Sequence, residues 1–306
     1  SFGHRHDRFL GYRHFVRRNV FGFHGVLITF FSLFVVGLQA EKAHANSLSF
    51  SPASRPEIIS QGDVGDCACG PCAIFNAFQF GDPALNNLAA ALPGDAPADK
   101  VRALIQRYGG RPSVITCAQP RYLANGGMWE DDLVPFINDC LKTDDDAPVR
   151  GERLALRGSE TGRAYLRRVY GELSHSLAAG FPPVVNLQAY TAHKGFFHRS
   201  WKWLDGHFVT VIAVQDRLPQ NASKFSMWVA DSQSGRILEV SVYADQNRSS
   251  ASLARSQTRR SGKSPVPLSR DYPYLTIQSP SLENMLEGPA SRSAQTICVI
   301  EYVAHR

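Results

Sequence analysis

Apolar positions along the chain fall into two textures. Over residues 69–179 they recur every three or four positions, the period of an amphipathic helix, in runs at 69–80, 83–92, 98–108, 130–141 and 160–179. The turn signals Gly109-Gly110 and Asn125-Gly126-Gly127 separate these runs. After Gly180 the pattern changes to short stretches rich in β-branched and aromatic residues, at 184–189, 207–214, 225–230, 237–243, 274–278 and 296–303. A helical half followed by an antiparallel β half predicts an α+β architecture.

Ahead of both textures lies a third pattern. Basic Arg13, Arg17 and Arg18 precede an apolar run over 25–38, and Ala43-His44-Ala45 follows it. This order is that of an export signal, and the small-x-small pattern predicts cleavage before Asn46. The run is shorter than the roughly 20 residues that cross a bilayer comfortably. Phe21, Gly22 and Phe23 would lengthen it into a signal anchor. The chain therefore divides into a signal peptide or signal anchor at 1–45, a Ser/Pro-containing tail at 46–59, and a domain at 60–306 with a Ser/Arg-rich surface loop at 245–270. The expected location is secreted or extracytoplasmic, with membrane contact only where the N-terminal segment stays as an uncleaved anchor.

Composition changes the picture in two respects. With 306 residues, 43% of them hydrophobic, the chain supports a substantial core, and wholesale disorder is excluded. Of the net charge of +6, residues 1–45 carry +4, so the domain is close to neutral and nucleic acid is not an expected partner. Export would place Cys67, Cys69, Cys72, Cys117, Cys140 and Cys298 in an oxidising space, where a working thiol would leave five others and at most two disulfides. The Cys67-x-Cys69-x-x-Cys72 cluster lacks the second Cys or His pair that a structural zinc wants, so no metal or cofactor is expected.

The candidate chemistry begins at Cys69-Gly70-Pro71-Cys72-Ala73. Pro71 falls in a first helical turn, where its missing N–H costs nothing, and the helix N-terminus favours a thiolate. Far downstream, His207 opens the strand-like run His207-Phe208-Val209-Thr210-Val211, and the next run ends in Asp231 before the turn Ser232-Gln233-Ser234-Gly235. Adjacent antiparallel strands would bring Asp231 to His207, fixing the imidazole's tautomer and leaving its other nitrogen for a thiol. Asp205 and Asp216 flank the same strand as rival carboxylates. His193, Phe196, Phe197, His198, Trp201 and Trp203 crowd the preceding segment as candidate cleft walls.

In order and composition these parts resemble the papain-like cysteine peptidases, specifically the bacterial branch related to bacteriocin-leader peptidases. The resemblance covers about 60–80 and 180–235, the latter including Gly180-Phe181-Pro182-Pro183-Val184-Val185 before the histidine run. It implies a papain-like α+β fold, with an N-terminal helical half whose nucleophile helix packs on a C-terminal antiparallel sheet. It also implies a cysteine nucleophile, His207 as general base and acid, Asp231 as orienting group and Gln61 as oxyanion-hole donor. Two cysteines compete for the first role. Cys67 has the six-residue distance from Gln61 seen across the family, whereas Cys69 heads the helix-start motif and keeps Pro71 well inside the first turn.

The function expected is hydrolysis of a peptide or isopeptide bond through a thioester, with a peptide or protein as substrate. Acyl transfer to an amine or thiol, as in transglutaminase-like or phytochelatin-synthase-like enzymes, would use the same residues. A secreted binding module stapled by disulfides is the alternative without catalysis.

Overall fold

The structure, a computed structural model, describes residues 45–46, 56–141, 148–194, 199–244, 252–256, 267–268, 275–279 and 296–306. All of them belong to the unit Lys42–Arg306. The expected export signal except Ala45, most of the tail and most of the 245–270 loop lie outside the described residues.

Helices form where the 3.6-residue period runs: α1 Cys69–Gln79, α2 Pro83–Ala90, α3 Pro97–Leu104, α4 Glu130–Leu141 and α5 Gly162–Ala178. Their starts follow from local chemistry. Asp82 caps α2 by accepting from the Leu85 N–H at 2.9 Å, and Thr161 caps α5 by accepting from the Ala164 N–H at 3.2 Å. Pro83 and Pro97 occupy first-turn positions that need no donor. No helix among the described residues is long and apolar enough to cross a membrane.

The strands are β1 Ala45–Asn46, β2 Tyr122–Leu123, β3 Gly127–Met128, β4 Arg150–Arg153, β5 Val184–Lys194, β6 Arg199–Gln215, β7 Lys224–Asp231, β8 Arg236–Ala244, β9 Ser252–Ser256, β10 Pro267–Leu268, β11 Leu275–Gln278 and β12 Thr296–His305. Their arrangement corrects the expected papain-like α+β layout. Six of them run in the order β6-β5-β12-β11-β8-β7, and β7 pairs back onto β6, so the sheet closes into a six-stranded antiparallel barrel. The reason is the length of β6. Its 17 residues exceed what one neighbour uses: Arg199 to Thr210 pair with β5, and Thr210 to Val214 pair with β7. Register shifts at Ala189/Tyr190, Val211/Ala213 and Ile300/Tyr302 add the local bend and twist that closure requires. Alternation within each run predicts strands but does not say which edges meet.

Two apolar cores result. Alternate side chains of the barrel strands, among them Val185, Leu187, Val209, Val211, Met227, Val229, Val240 and Ile277, form one cluster together with Leu166, Val169 and Leu173 of α5. Helix α5 touches β6, β8 and β12, which are not neighbours around the barrel, so it crosses one end of it. The Tyr170 hydroxyl donates to the Gln215 carbonyl at 2.8 Å, which places that end at the C-terminus of β6. The other cluster lies outside the wall, where Ile74, Phe75 and Phe78 of α1 and residues of α2 to α4 meet Val184, Phe208 and Tyr302.

Helix α1 is tied to the barrel by a buried hydrogen bond from the Thr210 hydroxyl to the Ala73 carbonyl, 2.6 Å long. Thr210→Val keeps the shape and removes the bond, so urea denaturation is expected to show a loss of about 1 kcal/mol. An unchanged midpoint would mean that apolar packing alone seats the helix.

Candidate active site

Cys69 is the first residue of α1. A first helical turn holds N–H groups without intrahelical partners, so the thiol stands at the positive end of the helix dipole. On the barrel, His207 falls in the same alternation as Val209 and Val211, and Asp231, the last residue of β7, in that of Val229. Both side chains therefore face inward at the rim farthest from α5, where α1 begins.

His207 Nε2 lies 2.6 Å from Asp231 Oδ1, with the two side chains 4% and 0% exposed. The Asp231 carboxylate also accepts from the Gln233 N–H at 3.1 Å, the Ser234 N–H at 2.9 Å and the Ser234 hydroxyl. Gly235 closes this turn at φ +64°, its N–H donating to the Asp231 carbonyl at 2.9 Å, a conformation glycine reaches without steric cost. Burial alone would raise the Asp231 pKa, but the bonds from His207 and Ser234 outweigh it and hold the carboxyl below its usual range. Burial pulls His207 down, while the hydrogen bond to Asp231 and the neighbouring Cys69 thiol prevail and push it up to about 10. With Nε2 committed to Asp231, Nδ1 is the nitrogen left for the Cys69 sulfur.

The thiol whose influence His207 feels is that of Cys69, which distinguishes it from Cys67. Cys67 is half-buried, and burial raises its pKa, with Cys69, Asp66 and Asp205 adding in the same direction. Cys72 points into the core inside α1, where burial pushes its thiol up strongly. Cys140 and Cys298 are buried, Cys117 is exposed, and no disulfide joins any of the six cysteines. The disulfides considered from the sequence are thus not formed.

Gln61 opens a short 3₁₀ turn, Gln61–Asp63, and its N–H donates to the Ser232 carbonyl at 2.7 Å, beside Asp231. Two residues earlier, the Ile59 N–H donates to the buried Asn76 side chain of α1 at 3.3 Å. The segment is thereby pinned to the barrel and to α1. Gln61 Oε1 is buried without a hydrogen-bond partner. Gln61, Cys69 and His207 share the wall of one cavity of about 330 Å³.

The sequence reading missed other parts of that wall: Trp129, Asn186, Gln188 and Gln233. Gln188 Nε2 donates to Asn186 Oδ1, and both amides are buried. A Cβ on Gly206 would lie 2.9 Å from the Gln188 amide, so the glycine before His207 makes room for it. A signal existed, since Asn186 and Gln188 alternate with Val185, Leu187 and Ala189 in an otherwise apolar run. Of the rival carboxylates, Asp205 is exposed and accepts from its neighbour Gly206 N–H at 2.8 Å, and Asp216 follows the opposite end of β6. Phe196, Phe197 and His198, and the side chains of His193, Trp201 and Trp203, lie outside the described residues.

Away from the cleft, Glu152, Glu172 and His305 bring ligand atoms within 4.8 Å of one another. Arg157 and Arg168 already pair with both carboxylates there. Compared with protein-family models, curated proteins and solved structures, the chain matches none.

The raised pKa of His207 gives a signed pH dependence. Its contribution to stability is complete below its ordinary value of 6.5 and is lost as pH rises towards about 10. The depressed Asp231 contributes above the usual carboxylate range and loses its contribution as pH falls through its lowered pKa. Denaturation midpoints measured from pH 6 to pH 10 are expected to decline in the wild type and to decline less in His207→Gln. Parallel curves would show that the imidazole carries no such linkage.

Proposed function

We propose that the chain is an exported cysteine peptidase that hydrolyses a peptide or isopeptide bond through a thioester. The observation that carries this reading is one imidazole hydrogen-bonded to a buried carboxylate and sharing the wall of one cavity with a helix-terminal thiol that acts on it electrostatically. The order of Gln61, Cys69, His207 and Asp231, which resembles that of bacterial leader peptidases, supports it. The basic, apolar and small-residue order of residues 1–45 supports export.

In this mechanism the Cys69 thiolate adds to the substrate carbonyl carbon. The carbonyl π electrons move onto oxygen, and the Gln61 side-chain amide and N–H groups at the start of α1 receive that charge. His207, protonated beside the sulfur, gives its Nδ1 proton to the leaving nitrogen as the C–N bond breaks, which leaves a thioester and a free amine. The now neutral imidazole takes a proton from water, whose oxygen attacks the thioester. The C–S bond then breaks, the acid product departs, and the thiolate–imidazolium pair returns. Asp231 holds the ring in one orientation throughout and stabilises its charged form.

Labelling with a thiol-directed acylating probe checks the assignment. Cys69→Ala is expected to abolish both labelling and turnover, whereas Cys67→Ala retains both. Labelling that survives each substitution made separately overturns the reading. Gln61→Ala is expected to lower kcat by about 10²–10³ with labelling retained, the usual cost of one oxyanion donor. A product carrying an added amine acceptor in place of water would reassign the second step to acyl transfer.

A further inference from the structure

We infer that the cleft receives a positively charged side chain, lysine or arginine, beside the bond that is cut; this rests on the peptidase reading above. The wall of the cavity carries three carboxylates, Asp66, Glu130 and Asp205, and among the described residues it carries no Lys or Arg. Glu130 is buried and its charge is balanced by Arg153 at 2.9 Å. Asp66 and Asp205 differ, because both are exposed and neither is in an ion pair with a cation among the described residues. They stand close enough to the thiol end of the cleft that both act electrostatically on Cys67, which lines the same wall.

Trp129, half-buried on this wall, offers an aromatic face, which adds to the attraction for an ammonium or guanidinium. The rest of the polar lining is neutral amide, from Gln61, Asn186, Gln188 and Gln233, which suits a peptide backbone and leaves the two free carboxylates as the charge selectors. The one cation of the site, His207, has a side chain only 4% exposed and is already paired with Asp231. An incoming acidic side chain would therefore meet repulsion without a free partner.

Two measurements on the full chain test this. In the first, peptides that differ only in Lys, Gln or Glu at each position flanking the cut are compared by kcat/KM. Lys substrates are expected to exceed Glu substrates by about tenfold at low salt, the size two exposed carboxylates give, with the ratio shrinking as salt is raised. In Asp66→Asn/Asp205→Asn the ratio is expected to collapse towards one. The second needs no hydrolysis: in a Cys67→Ser background, Cys69 is labelled with a cationic and an anionic methanethiosulfonate of similar size. The cationic reagent is expected to react faster, and the double Asn change to remove the difference. Charge-dependent labelling without turnover of any peptide would overturn the peptidase reading and keep the cation seat. Turnover or labelling indifferent to charge, or a preference that survives the double change, overturns the cation seat.

Discussion

Everything at the rim depends on β6 being paired along both of its edges. Its first part hydrogen-bonds to β5 and its last part to β7, and this second pairing closes the barrel. The same pairing sets His207 beside Asp231, because the two residues belong to the two strands it joins. The strand's other alternation faces outward, where Phe208 enters the helical core and Thr210 anchors α1. One strand thus carries the base, aligns the acid and seats the helix that begins with the thiol.

The electrostatics of the site follow from how deeply this junction is buried. Removing an ion pair from water costs several kcal/mol per charge unless other hydrogen bonds replace the lost hydration. Asp231 meets that condition, since the imidazole, two backbone N–H groups and a serine hydroxyl all converge on it. All but the imidazole come from its own turn, so local geometry holds the carboxylate and the paired strand β6 supplies the remaining donor. The imidazole can then keep its proton far above the usual histidine range, which gives the adjacent sulfur a cationic neighbour.

Much of this was legible along the chain, and the part that was not has a physical cause. Hydrophobic period alone located α1 to α5 and the barrel strands, because each element buries one face and the period records that face. Closure was not legible, since edge pairing is set by strand length, bulges and twist instead of by alternation. Asp231 could be nominated because it ends β7 before a turn signal, and His207 because it heads the apolar run of its strand, although β6 starts eight residues earlier, at Arg199. Cys67 and Cys69 could not be separated by spacing from Gln61, because spacing does not say where a helix begins; the structure starts α1 at Cys69 and lets that thiol act on His207. Asn186 and Gln188 escaped notice as polar interruptions of an apolar strand, although that position is where a cleft meets a barrel wall.

The segment that carries Gln61 is fastened at two points, to Asn76 on α1 and to Ser232 on the barrel. The position of its amide in the cleft therefore depends on both. The double fastening makes the segment a clasp between helix and barrel, so any change that parts α1 from the wall displaces Gln61 from the cleft as well.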